Sequence, residues 1–174
     1  MDWKIRRQRE EDTHKPFSCG DSDLDEFFRK DALNYTVEKL STSYILEDAN
    51  GLLAYFSIAN DRISIDDFTD NTAYNKFRRR FVNTKRLKGY PAVKLCRLGV
   101  SVQNKGTGVG TDIINFLKGT FYKSQRSACR FLIVDAYRQS ADFYIKNGFT
   151  PFNEVDTHQR QTIPMYFDLA DIEI

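Results

Sequence analysis

The sequence predicts a mixed α/β fold of the α+β kind: a central twisted sheet, mostly antiparallel, with helices on both faces. Three observations predict it. Residues 42–47 and 52–59 are apolar runs joined by Asp48-Ala49-Asn50-Gly51, a turn that favours an antiparallel hairpin. Further on, a long strand, an amphipathic helix and a second apolar strand follow one another, the order of a strand-helix-strand unit. With 174 residues, 41% of them hydrophobic and 14% aromatic, the chain can build one compact core, so a single domain over residues 1–174 is expected.

The elements follow in order. Trp3 to Gln8 alternates weakly and reads as a first strand. Asp21-Ser22-Asp23 offers caps for a helix whose apolar positions, Leu24, Phe27, Phe28, Ala32, Leu33, Val37 and Leu40, recur at helical intervals up to Ser41. After the hairpin, residues 60–89 are polar, basic and irregular, an insertion between strands with a short helix around Tyr74 to Phe81. Tyr90 to Val100 is the long strand, and a helix opens at Thr111. Cys129 to Asp135 is too continuously apolar for a surface strand and reads as buried and parallel. A short helix from Gln139 to Asn147 ends at Gly148, which suits a left-handed position, and Phe149–Phe152 and Ile163–Leu169 supply the last strands. No internal repeat or low-complexity tract interrupts this order.

Composition excludes several classes of function. The apolar runs fall short of a membrane span and Met1-Asp2-Trp3-Lys4 begins no signal peptide, so no membrane partner and a cytoplasmic location are expected. Cys19, Cys96 and Cys129 are odd in number and far apart, which encodes neither a disulfide framework nor a metal site; Cys96 and Cys129 read as small buried hydrophobes. His14 and His158 have no metal-ligand spacing, so no metal is expected. Net charge is only +2, yet no Asp or Glu occurs from Asn71 to Thr111, a window that holds Lys76, Arg78, Arg79, Arg80, Lys85, Arg86, Lys88, Lys94, Arg97 and Lys105. Such segregation makes a local positive field that suits the phosphates of a nucleotide or of RNA. Phe77, Phe81 and Tyr90 interleave with these charges, either as stacking platforms for bases or as core anchors.

The most informative stretch runs from Val100 to Thr111, where a strand passes through Gly106, Gly108 and Gly110 into a helix. Glycines at alternate positions let successive N–H groups turn toward one point, and the helix adds its unpaired amides and positive dipole end. The pattern is not a P-loop, because Lys105 precedes the glycines and Thr111 follows Gly110 directly. Nor is it the dinucleotide fingerprint, which needs a glycine where Thr111 stands. A Gly-rich turn before a core helix is the plain alternative.

Gln103-x-x-Gly106-x-Gly108 resembles the signature with which GCN5-related N-acetyltransferases hold the pyrophosphate of acetyl-CoA. The stretch Val134 to Phe149, ending Phe143-Tyr144-Ile145-Lys146-Asn147-Gly148-Phe149, is similar to the family's second motif. Phe17-Ser18-Cys19-Gly20-Asp21-Ser22-Asp23-Leu24-Asp25-Glu26-Phe27 resembles the opening of the subgroup that includes toxins of toxin–antitoxin pairs, which acetylate the amine of aminoacyl-tRNA; the insert before Tyr90 departs from those toxins. The resemblance implies acetyl-CoA as co-substrate, an amine acceptor that in the toxin-like case is tRNA-borne, an antitoxin protein as partner, and room for a homodimer.

It also implies roles for residues. Gln103 and Lys105, Gly106, Thr107, Gly108, Val109, Gly110 and Thr111 would carry the pyrophosphate, largely by main chain. The strand end Leu98-Gly99-Val100 would meet the thioester or pantetheine with backbone groups. Tyr144 would protonate the departing CoA thiolate, a phenol of ordinary pKa about 10 being neutral at pH 7, and Tyr137 is a second candidate. No histidine falls in either motif, so no general base is evident. A housekeeping enzyme acting on metabolites or protein amines, and a non-catalytic acyl-CoA-binding module, are the alternatives.

Overall fold

The computed structural model describes residues 2–81, 87–123, 127–153 and 161–172; His158, Lys85 and Arg86 lie outside them. Among the described residues, seven strands, numbered in chain order, form one hydrogen-bonded sheet in the order β1-β2-β3-β4-β5-β7-β6. The pairs β1·β2, β2·β3, β5·β7 and β6·β7 are antiparallel, so the mixed, mostly antiparallel fold class read from the sequence is the one observed. By contact the chain divides into two compact units, one of residues 1–59 with 95–117, the other of 60–94 with 118–174.

The first unit holds β1 (Lys4–Arg7), α1 (Ser22–Glu26), α2 (Ala32–Val37), β2 (Thr42–Asp48) and the start of β3 (Gly51–Ser64). Asp21 caps α1 by accepting from the amides of Asp23 and Leu24. Between α1 and α2 the helix widens into a π-turn, Phe27–Asp31, which buries both Phe27 and Phe28. The side chain of Gln8 donates to the Phe28 carbonyl at 2.9 Å. The helix stops at Val37 because Lys39 turns to φ 59°, leaving Val37 and Leu40 exposed at 75% and 60%. The expected apolar face therefore ends before these two residues. The hairpin is as expected, its turn tied by Asp48 Oδ1 accepting from the amides of Asn50 and Gly51. Rings of Phe17, Phe28 and Tyr55 fill this unit's core. Beside it Asp12, wholly buried, accepts from Arg6 and pairs with Lys15, and both cations also reach Glu47.

In the second unit, residues 60–78 are more regular than their sequence suggests. β3 continues to Ser64 through an exposed stretch, and α3 (Asn71–Arg78) begins three residues before the expected helix because Asp70 caps it, accepting from the Ala73 amide. Phe77 and Tyr90 are buried and Phe81 stacks on Tyr90 with centroids 4.3 Å apart, so these rings are core anchors and not platforms for bases. They join Phe68, Tyr74, Phe131, Phe152 and Tyr166 in one aromatic cluster. β4 (Gly89–Val100) leads through α4 (Val109–Lys123) to β5 (Phe131–Tyr137), its neighbour in the sheet. Cys129 lies ahead of β5 and, like Cys96, is half-buried; the buried cysteine is Cys19. α5 (Ala141–Lys146) precedes β6 (Thr150–Pro151), which is shorter than expected, and β7 (Thr162–Asp168). At the end of β7, Asp168 accepts from both Arg80 and Arg130. Among the described residues, no helix is long and apolar enough to cross a membrane.

Candidate active site

The glycine loop lies within the first unit. β4 ends at Val100, and the chain leaves it under two main-chain restraints: the Ser101 amide donates to the Leu53 carbonyl at 2.9 Å and the Val102 amide to the Ser18 carbonyl at 3.0 Å. A single turn of 3-10 helix (Val102–Asn104) follows, capped by the Ser101 hydroxyl, which accepts from the Gln103 amide. The Asn104 carbonyl then takes both the amide and the hydroxyl of Thr107. These bonds consume the loop's inward groups. Among the described residues, the amides of Lys105, Gly106, Gly108, Val109 and Gly110 have no hydrogen-bond partner.

Gly106 and Gly108 take φ values of +77° and +96°, conformations that side chains rarely adopt, and a Cβ at either would meet no atom within 4 Å. The loop is thus a cradle open to solvent at the head of α4, a helix of 15 residues whose first-turn amides and dipole favour an anion. That donor set fits a diphosphate. Gly110 differs from the sequence expectation, since α4 starts at Val109, two residues early, and places Gly110 in its first turn. Gln103, Lys105, Thr107 and Thr111 are exposed, whereas Val109 is buried and anchors the helix.

At the strand end, Leu98 and Val100 are half-buried and Gly99 is buried. A Cβ on Gly99 would stand 2.7 Å from Tyr55 Cε1 and 3.3 Å from Cys19 Sγ. The packing of that ring accounts for the glycine. Tyr55 donates its hydroxyl to the Leu24 carbonyl at 2.7 Å, and burial pushes its phenol up.

Tyr144 belongs to the second unit. It sits on α5, 6% exposed, edge-on to Phe143 and Phe149. Among the described residues its hydroxyl has no hydrogen-bond partner, and burial alone pushes the phenol above its ordinary value. The helix that carries it ends as the sequence suggests, with Gly148 at φ +82° and the Phe149 amide returning to the Tyr144 carbonyl at 3.0 Å. Lys118 was not singled out from the sequence. Its ammonium donates to the Asn147 carbonyl at 2.7 Å and lies 3.8 Å from the centre of the Phe167 ring, holding the end of α5; burial lowers its pKa. Tyr137, the other candidate, is the last residue of β5 and 38% exposed.

Several cations of the acid-free window are engaged. Arg80 is held by Asp168 and Lys94 by Asp135, while Arg78 lies over Tyr74 and Arg97 over Phe27. The two carboxylate pairs offset part of the positive field read from the sequence, whereas the stacked guanidiniums keep their charge.

No protein-family model matches the sequence, and no curated protein matches it either. Solved structures do resemble it. A tyrosine-to-phenylalanine mutant of KacT superposes with a TM-score of 0.76 at 18% identity, covering 98% of this chain and 96% of that one. AtaT complexed with acetyl-methionyl-tRNAfMet gives a TM-score of 0.74 at 18% identity, covering 97% and 96%. A tyrosine-to-phenylalanine mutant of the toxin AtaT, bound to the C-terminus of the antitoxin AtaR and acetyl-CoA, gives 0.70 at 19% identity, covering 98% and 95%. The fold is shared with these proteins over nearly the whole chain, and it is the fold that the acetyltransferase resemblance implied.

Proposed function

We propose that the protein is an acetyl-CoA-dependent N-acetyltransferase whose acceptor is the amine of an aminoacyl-tRNA. The observation that carries the acetyl-CoA half is the set of unpartnered amides at Lys105, Gly106, Gly108, Val109 and Gly110, with positive φ at Gly106 and Gly108, at the start of α4. Fold-level likeness to AtaT, solved with acetyl-CoA and with an acetylated aminoacyl-tRNA, supports both halves.

In this reading the loop binds the diphosphate by main chain, with Gln103, Lys105, Thr107 and Thr111 around it. The backbone of Leu98-Gly99-Val100 meets the pantetheine amide or the developing oxyanion. A neutral amine attacks the thioester carbon, the carbonyl electrons shift onto oxygen and return, and the C–S bond breaks. Tyr144 gives its phenolic proton to the departing sulfur, the attacking nitrogen releases one proton to solvent as the amide forms, and the tyrosinate is reprotonated from solvent after the product leaves. A buried phenol stays protonated throughout the physiological range, so it is always a donor. Because burial also weakens it as an acid, the proton moves as the C–S bond breaks and not before.

The amine's own basicity selects the acceptor. At pH 7 an α-amine of pKa about 8 costs roughly 1 kcal/mol to deprotonate, whereas a lysine at about 10.4 costs between about 4 and 5. An aminoacyl ester therefore needs little help from a general base. An antitoxin partner and growth arrest on expression belong to the same proposal.

Two measurements test it. Calorimetry on folded protein should give saturable heat with CoA and with acetyl-CoA; none with either would remove the acetyl-CoA half. Labelled acetyl-CoA offered with charged tRNA, peptides and polyamines should mark the tRNA-borne amine first. Equal labelling of free amines would return the housekeeping reading, and binding without transfer to any amine would leave a binding module.

A further inference from the structure

The opening Phe17-Ser18-Cys19-Gly20 and the buried Asp25 take no part in the chemistry above, yet they lie against the root of the loop within the same unit. Asp25 is 6% exposed, and its two oxygens are both used: Oδ1 accepts from the Cys19 amide at 2.8 Å and Oδ2 from the Ser18 hydroxyl at 2.6 Å. Burial acts to raise this carboxyl, but the bonds from Cys19 and Ser18 outweigh it and keep Asp25 below its ordinary value. The Ser18 hydroxyl in turn accepts from the Gly20 amide at 3.2 Å. Three consecutive residues are thereby wound round one carboxylate.

The outer side of that winding faces the loop. The Ser18 carbonyl takes the Val102 amide. Gly20 takes φ +78°, a conformation strained for any side chain, and a Cβ there would stand 3.2 Å from Val102 Cγ1, which would have to give by a few tenths of an ångström, and in ordinary contact with Lys105 Nζ at 3.6 Å. Cys19 Sγ lies against Gly99 at the strand end. One segment thus bonds to Val102, the residue that opens the turn, and lies beside Gly99 at the strand end and the Lys105 side chain.

A cradle made of main chain binds only as well as its amides are aimed before the ligand arrives, since ordering them afterwards is subtracted from affinity. We infer that Ser18–Gly20, wound round Asp25, is the positioning element that pre-sets the loop Gln103–Gly108 for a diphosphate. The inference rests on the reading of that loop as the diphosphate site. It assigns Asp25 and Gly20 as positioning residues that never touch the ligand.

The test is calorimetry with CoA on the full chain, alongside thermal melts. Asp25→Ala removes both acceptors and should weaken CoA binding about 10-fold, with Asp25→Asn, which keeps one acceptor oxygen, recovering part of the loss. Gly20→Ala should weaken binding by a similar factor of about 10 while the melt stays cooperative. Adding Val102→Ala to Gly20→Ala removes the Cγ1 contact and should restore part of the affinity, a rescue that general destabilisation does not give. If wild-type protein binds no CoA, the loop reading itself falls. If wild type binds, and cooperatively melting Gly20→Ala binds as tightly, or gains nothing from Val102→Ala, the positioning role is overturned. The Gly20 pair decides the matter even where Asp25→Ala does not fold.

Discussion

The loop of the first unit and Tyr144 of the second approach function by opposite routes. In the loop, the groups available to a ligand are amides, aimed by glycine torsions and by hydrogen bonds spent on the inner side of the turn. At Tyr144 a single hydroxyl stands at the end of a ring packed among other rings. A site made of main chain is insensitive to most side-chain substitutions and vulnerable to backbone ones. A site made of one side-chain atom is lost with that atom.

The largest effect on turnover should come from that atom. Tyr144→Phe keeps the ring and its packing and should lower kcat by about 10²–10⁴ with CoA affinity unchanged, as measured by labelled transfer and calorimetry. Turnover at the wild-type rate would end the donor role and leave the ring as packing alone. The same residue sets a pH expectation. Because burial raises its phenol, kcat/KM should climb toward the pKa of the acceptor amine near 8 and show no descending limb below about pH 10. A fall between pH 8 and 9 would assign the proton to another group.

Stability should break at a different place. Asp12→Asn leaves Arg6 and Lys15 facing an uncharged amide in a buried site and should cost about 3 kcal/mol, read from denaturant melts. The pH dependence has a definite sign. The hydrogen bond from Arg6, followed by the bond from Lys15, lowers Glu47 from 4.5 to about 2. Asp12 is likewise lowered, its burial outweighed by Arg6 and Lys15. Carboxyls depressed in the folded state stabilise fully above their unfolded pKa, so this contribution is present above about pH 4.5 and is lost as pH falls toward 2. Glu47→Gln should flatten that acid limb.

Within the loop the contrast between backbone and side chain can be measured directly. Gly108→Val forces a β-branched residue to φ +96° and should weaken CoA about 100-fold. Lys105→Ala removes only an exposed charge and should weaken it less than about 5-fold, more at low salt than at high. The reverse order would show that charge, and not amides, does the binding.

What the sequence could disclose depended on how local the cause was. Asp48 to Gly51 is a self-contained turn, and the loop's glycines announce their torsions, so the hairpin and the cradle were legible. The extension of β3 was not, because Asn60-Asp61-Arg62 is exposed and carries no apolar alternation. The π-turn was hidden too: Phe27 and Phe28 fit an ordinary helical stripe, and the bond from Gln8 comes from 20 residues away. Partners of the basic window sit still further off, with Asp168 88 residues beyond Arg80, which is why a run of charge looked freer than it is. The roles of Asp25 and Lys118 lie in contacts with Ser18, Cys19 and Asn147 that no motif spacing records.

The two borders of the sheet carry one more consequence. At one border β1 presents the sequence Lys4-Ile5-Arg6-Arg7, and at the other β6 is two residues long and contains Pro151, which lacks an amide to donate. Charge at one rim and proline at the other discourage a foreign strand from annealing alongside. A partner's strand is therefore disfavoured along either rim, and so is self-association into fibrils by edge growth.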